Sequence, residues 1–163
     1  MSKKDSFQFS TIDHIIISVV LFLLIYTWCI ISIAYSNLPE TIAVHFDSAG
    51  NPDGYGSKNS IWLAPSFFTV LCLGLIISAK HPEKLNFNKK KISEKEKKIN
   101  SKKGLFGSLL CSSILILITH SMIKTSINKD DNPMFWIIPS VFGLIILFIT
   151  SIYYYKYNYL KRL

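Results

Sequence analysis

Four polar side chains that could do chemistry stand out because long apolar runs surround them: His45, Asp47, Asp53 and His120. The first three lie in one short stretch, HFDSAGNPDGYGSK, and the fourth lies inside an apolar run. Imidazole nitrogens and carboxylate oxygens are ligands that zinc accepts, so a zinc site is one hypothesis for these four residues. No H-E-x-x-H or C-x-x-C spacing and no nucleophile with a positioned base accompanies them. We therefore expect no cofactor and no enzymatic activity.

The same stretch could instead recognise a peptide. Asp47 and Asp53 would attract a cationic partner, while Phe46 and Tyr55 would supply apolar contact area. A purely structural role is the third alternative, in which His45 forms hydrogen bonds within the loop and the aspartates cap turns.

The elements that must position these residues are predicted by hydropathy. The chain has 163 residues, half of them hydrophobic, and four blocks of 19 to 22 residues contain no Asp, Glu, Lys or Arg. Each block is long enough to cross a hydrocarbon core of roughly 30 Å as a helix. The sequence therefore predicts an all-α membrane protein, a single integral domain of four transmembrane helices in two hairpins. The predicted spans are about 15–35, 61–79, 105–123 and 134–155.

The distribution of lysine predicts how these spans are oriented. With four spans, both termini and the 80–104 loop share one side, and that side holds 15 of the 18 basic residues. Because positive residues are retained in the cytoplasm, we expect both termini and the 80–104 loop there. The 36–60 loop would then face the outside of a bacterial cell membrane, and a structured external loop would join helices 1 and 2.

The cytoplasmic loop carries ten lysines, and the chain has a single arginine, which argues against a nucleic acid partner. A solvated loop that enforces topology, contact with anionic lipid headgroups and docking of a cytoplasmic regulator are the three interpretations. The candidates for headgroup contact are Lys89, Lys90, Lys91, Lys97, Lys98, Lys102 and Lys103.

Within the external loop, apolar alternation predicts a short strand over residues 41–46. The run Asn51-Pro52-Asp53-Gly54 is typical of a type I turn. An apolar face would rest on the outer ends of the helices, and it would consist of Ile42, Val44, Phe46 and Tyr55.

A weak internal repeat links the second and fourth spans. Residues 62–68 and 136–142 share the pattern W-x-x-P-S-x-F near the start of each span. Two hairpins in the same orientation could be related as parallel repeats, although tryptophan and proline are also common at membrane interfaces.

The loop also resembles a known family. The matching positions are Leu38, Pro39, Ile42, His45, Phe46, Asp47, Gly50, Pro52, Asp53 and Lys58. Their spacing is similar to the signature of the domain of unknown function 1648, except that Ala43 stands where that family usually has proline. The resemblance covers residues 38 to about 75. It implies a bacterial membrane domain of the kind found at the N-terminus of SdpI-type immunity proteins, although the further C-terminal spans of those proteins are missing here.

From the residues and the resemblance together, we expect a membrane binding protein that neutralises or detects a secreted toxin peptide at the outer face. The alternatives are an envelope metal-binding protein or metalloenzyme that uses His45, and a structural subunit of a membrane complex. Possible partners are the lipid bilayer, a toxin peptide, another membrane protein and a cytoplasmic regulator at 80–104. The candidate binding residues are Pro39, His45, Phe46, Asp47, Gly50, Pro52, Asp53, Gly54, Tyr55 and Lys58.

Overall fold

A computed structural model describes residues 8–47, 51–83 and 93–128 of the chain. In this part, three helices and a two-stranded antiparallel sheet follow one another, and short 3-10 turns flank the sheet. The elements are α1 (Thr11–Ala34), β1 (Thr41–Phe46), β2 (Pro52–Ser57), α2 (Leu63–Lys80) and α3 (Glu94–Ile127), and the 3-10 turns are Tyr35–Asn37 and Lys58–Trp62.

Two capping boxes determine where α1 and α3 begin. The Ser10 hydroxyl accepts a hydrogen bond from the Asp13 backbone N–H, and the Asp13 carboxylate accepts one from the Ser10 N–H at 2.8 Å. Ser93 and Glu96 form the same reciprocal arrangement at the start of α3. Each box satisfies backbone N–H groups that the first turn of a helix leaves without partners.

The third helix is the centre of the bundle, because α3 packs against both α1 and α2 whereas α1 and α2 contact each other less. Eight of its ten buried side chains recur at alternating intervals of four and three residues, which is the 3.5-residue repeat of a helix seam. Small polar residues dominate this α3 seam and allow neighbouring helix backbones to approach closely. The α3 seam consists of Ser101, Leu105, Ser108, Ser112, Leu115, Thr119, Met122 and Ser126.

The outward faces of α1 and α2 are apolar and exposed. Phe22 and Ile33 on α1, and Leu63 and Val70 on α2, are among the most exposed large hydrophobic side chains of the described residues. In the described part of the chain, three helices are long and apolar enough to cross a membrane. Hydrocarbon contact explains these faces, since in water such a surface would be an aggregation hazard.

Near the start of α1, a buried ion pair joins α1 to α3. Asp13 is only 3% exposed, and its carboxylate accepts hydrogen bonds from Ser10 and from the Lys102 ammonium. A buried carboxylate left without such partners would be strongly destabilising, so the pair restricts how α1 can sit against the first turns of α3.

At the other end of the bundle, which we call the hairpin end, the two strands lie over the last turns of α3. Ile42 and Ala43 are buried, and the Ala43 backbone N–H donates to the Ser126 hydroxyl at 3.3 Å. Ile42 packs in an apolar cluster with Ile31, Leu38, Ile61 and Met122. The hairpin is therefore held to α1, α3 and the start of α2 by one core.

The structure bears out part of the predicted architecture. Helices correspond to the first three predicted spans, whereas the fourth span (134–155) and the second W-x-x-P-S-x-F segment lie outside the described residues. The described chain is mostly helical, as predicted, but it is not all-α, because the 36–60 loop contains a two-stranded sheet. The loop predicted for 80–104 is also too long, since the Ser93 capping box starts α3 at Glu94.

Within the hairpin, two further predictions are wrong. The Asn51–Gly54 run is not a turn, since β2 begins at Pro52. Val44 and Tyr55 do not rest on the helices but are 38% and 63% exposed, and Ala43 is buried in their place. The reason is an irregular register between Ala43 and His45, which breaks the simple alternation of faces.

We expect Gly104→Leu to destabilise the bundle by about 1–3 kcal/mol, because overpacking a close helix contact forces the backbones apart. A Cβ atom at Gly104 would lie 3.0 Å from the Leu75 carbonyl oxygen and 3.1 Å from the Ala79 Cβ. Gly74→Leu is the matched control, since a Cβ at Gly74 would have no described residue within 4 Å. Denaturant unfolding of the purified protein in detergent measures both; equal stability of the two variants would contradict the packing described here.

Candidate functional site

The hairpin turn is closed by Asp47 and Asn51. The Asp47 N–H donates to the Asn51 carbonyl at 2.9 Å, and the Asn51 N–H donates back to Asp47 Oδ1 at 2.8 Å. The Asn51 side-chain amide adds a bond to Asp47 Oδ2 at 3.3 Å. Asp47 therefore caps the turn, as the structural alternative for this residue predicted, and Gly50 lies outside the described residues.

Two irregularities in the strand register bring His45 and Asp53 together. Val44 on β1 and Asp53 on β2 have no partner in the register, and His45 pairs directly with Gly54. As a result, His45 Nδ1 lies 2.5 Å from Asp53 Oδ1. Gly54 is required at this place, because a Cβ there would come within 2.7 Å of the His45 Cβ.

The base of the hairpin is held by a polar and aromatic cluster. The Lys58 N–H and ammonium donate to the Glu40 carbonyl and carboxylate at 2.9 and 2.7 Å. The ammonium also lies 5.3 Å from the centre of the Tyr35 ring, and the Tyr35 hydroxyl donates to Asn59. Trp62 packs on Tyr35 with the ring centroids 5.6 Å apart. The Lys58 side chain therefore stays at the hairpin base, where it binds the Glu40 carboxylate and lies against the Tyr35 ring.

Sequence reasoning missed most of this cluster. Tyr35, Asn59 and Trp28, whose ring stacks on Trp62 at 5.6 Å, were not among the candidate residues. The Trp28 indole N–H also donates to the Thr69 hydroxyl at 3.1 Å and so joins α1 to α2. Aromatic residues at the ends of two consecutive spans were a readable signal, but their mutual contact depends on the tertiary packing.

Exposure separates the candidate residues into two groups. Phe46 packs on the apolar cluster, and Pro52 pairs with it across the strands. By contrast, the His45 side chain is 72% exposed and the Asp53 side chain 47%. Pro39 is also exposed, between the end of α1 and β1. The hairpin therefore presents an imidazole paired with a carboxylate, together with the exposed Val44 and Tyr55 side chains.

The predicted four-ligand metal site does not form. His120 lies on α3 and interacts with Tyr26 rather than with the hairpin, and Asp47 is engaged in the turn. Across residues 8–47, 51–83 and 93–128, no group of three or more His, Cys, Asp or Glu side chains could hold a metal ion. His45 and Asp53 alone provide two ligands, fewer than the three protein ligands of typical zinc sites.

The structure places four of the candidate lysines on α3, while Lys89, Lys90 and Lys91 lie outside the described residues. Lys97 pairs with Glu94 at 2.6 Å, and Lys102 pairs with the buried Asp13. Lys98 and Lys103 are exposed on the first turns of the helix.

Comparison with known proteins finds one matching family model and one relative. Residues 22–69 match the family model described as Domain of unknown function (DUF1648). The match confirms the resemblance. It covers the second half of α1, the whole hairpin and the first part of α2. An uncharacterized protein from Archaeoglobus fulgidus is 34% identical over 53 residues, which is 32% of this chain and 29% of that protein. No solved structure matches this chain at a significant level.

The residues of the DUF1648 signature mostly build the hairpin and its attachment to the helices. Leu38 and Ile42 are core residues, Asp47 caps the turn, and Lys58 binds the base. The exceptions are Pro39, which is exposed, and the His45–Asp53 pair, whose side chains face solvent and, among the described residues, bond to each other. This pair is the ionisable part of the signature that remains accessible to a partner.

We expect Gly54→Ala to loosen the hairpin, because the new Cβ collides with His45. Hydrogen exchange of the β1 and β2 amides in detergent should accelerate by roughly tenfold, as expected for a cost of about 1.4 kcal/mol in local opening. The double variant His45→Gly/Gly54→Ala removes the collision and should recover much of the protection. If Gly54→Ala exchanges as slowly as the unchanged chain, the close cross-strand contact is not present.

Proposed function

We propose that this chain is a non-enzymatic binding protein of the bacterial cytoplasmic membrane that recognises a secreted toxin peptide at the outer face, as an immunity or peptide-sensing protein. The observation that carries the proposal is the exposed His45–Asp53 pair on a hairpin whose other signature residues fasten it to the helices. A preorganised hairpin loses little conformational freedom when a partner binds, which favours a recognition role.

The orientation of the chain is part of the proposal. The lysine-rich start of α3 lies at one end of the bundle and the hairpin lies at the other, and positive residues are retained in the cytoplasm. The hairpin end would then face the outside, where a secreted peptide arrives.

The chemistry of the hairpin favours a cationic, amphipathic partner. Its described charged residues are three carboxylates and one lysine, and that lysine is paired with Glu40. Asp53 remains half exposed beside His45, and Tyr55 and Val44 offer apolar area nearby on the same hairpin. Carboxylates would steer a basic peptide, and the apolar side chains would contribute contact area.

A sensing role would use α3. The helix runs without interruption for 34 residues, about 51 Å at 1.5 Å per residue, from the charged Glu94 end to the hairpin contact at Ser126. A peptide that moves the hairpin would therefore act on a helix whose other end carries exposed Lys98 and Lys103, where a cytoplasmic regulator could dock.

The test is protection of sensitive cells. Cells that express the chain should survive challenge by at least one peptide from a panel of secreted cationic peptides made by its own and neighbouring strains. Asp53→Asn should lose most of the protection and weaken binding of that peptide to purified protein by roughly tenfold, the value of one charge-assisted hydrogen bond. Glu83→Gln, an exposed acid at the opposite end of the bundle, is the matched control and should protect fully. Identical killing with and without the chain across the panel would refute the proposal.

A further inference from the structure

A polar pair that the hairpin does not use lies on the exposed surface between α1 and α3. The Tyr26 hydroxyl lies 3.2 Å from His120 Nε2, and the two rings are stacked with centroids 6.2 Å apart. Both residues are exposed, although each lies within a helix that is long and apolar enough to cross a membrane. Ionisable and polar groups at such positions are expensive in hydrocarbon, so their presence needs a reason.

The Tyr26–His120 pair always leaves one hydrogen-bond donor unused. A neutral imidazole carries one N–H and a phenol carries one O–H, and a single hydrogen bond between the rings uses one of them. If Tyr26 donates, His120 retains a free Nδ1–H; if His120 donates, Tyr26 retains a free O–H. No other residue in the described part of the chain accepts from either side chain. An unused donor in an apolar layer is costly, which favours a ligand that brings an acceptor.

The groups on either side of the pair show what kind of ligand fits. Lys124 is exposed on α3, one helical turn from His120 toward the hairpin end. Phe22 stacks on Tyr26 with centroids 6.5 Å apart and lies one turn of α1 farther from the hairpin end. From the hairpin end inward, the surface therefore presents an ammonium, a hydrogen-bond donor and an aromatic ring. A glycerophospholipid presents its phosphate, its ester carbonyls and its acyl chains in the same order.

We propose that this surface binds one glycerophospholipid of the leaflet on the hairpin side. Lys124 contacts the phosphate, the Tyr26–His120 pair donates its spare hydrogen to an ester carbonyl, and an acyl chain lies along Phe22. The site is separate from the His45–Asp53 pair and does not depend on peptide recognition.

The experiment compares two lipids that differ only in the acceptor. Purified full-length chain is titrated with dioleoyl phosphatidylglycerol and with its dialkyl ether analogue, which lacks ester carbonyls, and bound lipid is measured by native mass spectrometry. We expect the ester lipid to bind about fivefold more tightly, the value of one neutral hydrogen bond. The double variant Tyr26→Phe/His120→Leu removes both donors and should abolish this preference, whereas the matched double control His14→Leu/Tyr55→Phe should keep it.

The ester-to-ether ratio is taken within each variant. A general loss of stability therefore lowers the binding of both lipids equally and leaves the ratio unchanged. Equal binding of the two lipids by the unchanged chain would overturn the proposal. It would also be overturned if Tyr26→Phe/His120→Leu left the ratio unchanged but removed a dimer that the unchanged chain forms, since the pair would then serve a protein contact.

Discussion

The structure depends on close packing along α3. Small polar residues on the α3 seam let α1 and α2 approach one helix from two sides, and Gly104 leaves no room for a side chain against α2. Between apolar helices in lipid there is little hydrophobic driving force, so close contact and interhelical polar bonds must hold the bundle together. The same helix makes two polar bonds to other elements: Lys102 donates to Asp13 of α1 toward one end, and the Ser126 hydroxyl accepts from the Ala43 backbone N–H of β1 at the other.

This arrangement explains why the hairpin is ordered although it is rich in glycine and proline. Its backbone is tied to α3, its base is tied to Tyr35 through Lys58, and its turn is closed by Asp47. Most residues of the signature shared with the DUF1648 family therefore form the hairpin or attach it to the helices. Once those roles are assigned, His45 and Asp53 remain as an exposed pair, and this leads to recognition as the function that the site supports best.

Part of the fold and of the candidate site was predictable from the sequence, and the predictions that were wrong have physical explanations. Long apolar blocks predicted four helices, of which the first three correspond to α1, α2 and α3, and alternation predicted β1, because both signals are local. The second strand was missed because Pro52, Gly54 and Gly56 resemble a turn, and only pairing with β1 makes them a strand. The early start of α3 was readable from Ser93 and Glu96 but was overlooked among the lysines. The separation of His120 from His45 could not be read from spacing, since it depends on how α3 packs.

The central claim is that the hairpin end faces the outside and the start of α3 faces the cytoplasm. Single cysteines at Tyr55 and Lys98, both exposed positions at opposite ends, can be labelled in intact cells with a membrane-impermeant maleimide, with the unchanged chain and its free cysteines as the blank. The account predicts that Tyr55→Cys reacts in intact cells and that Lys98→Cys reacts only after permeabilisation. Labelling of Lys98→Cys but not Tyr55→Cys in intact cells would contradict it.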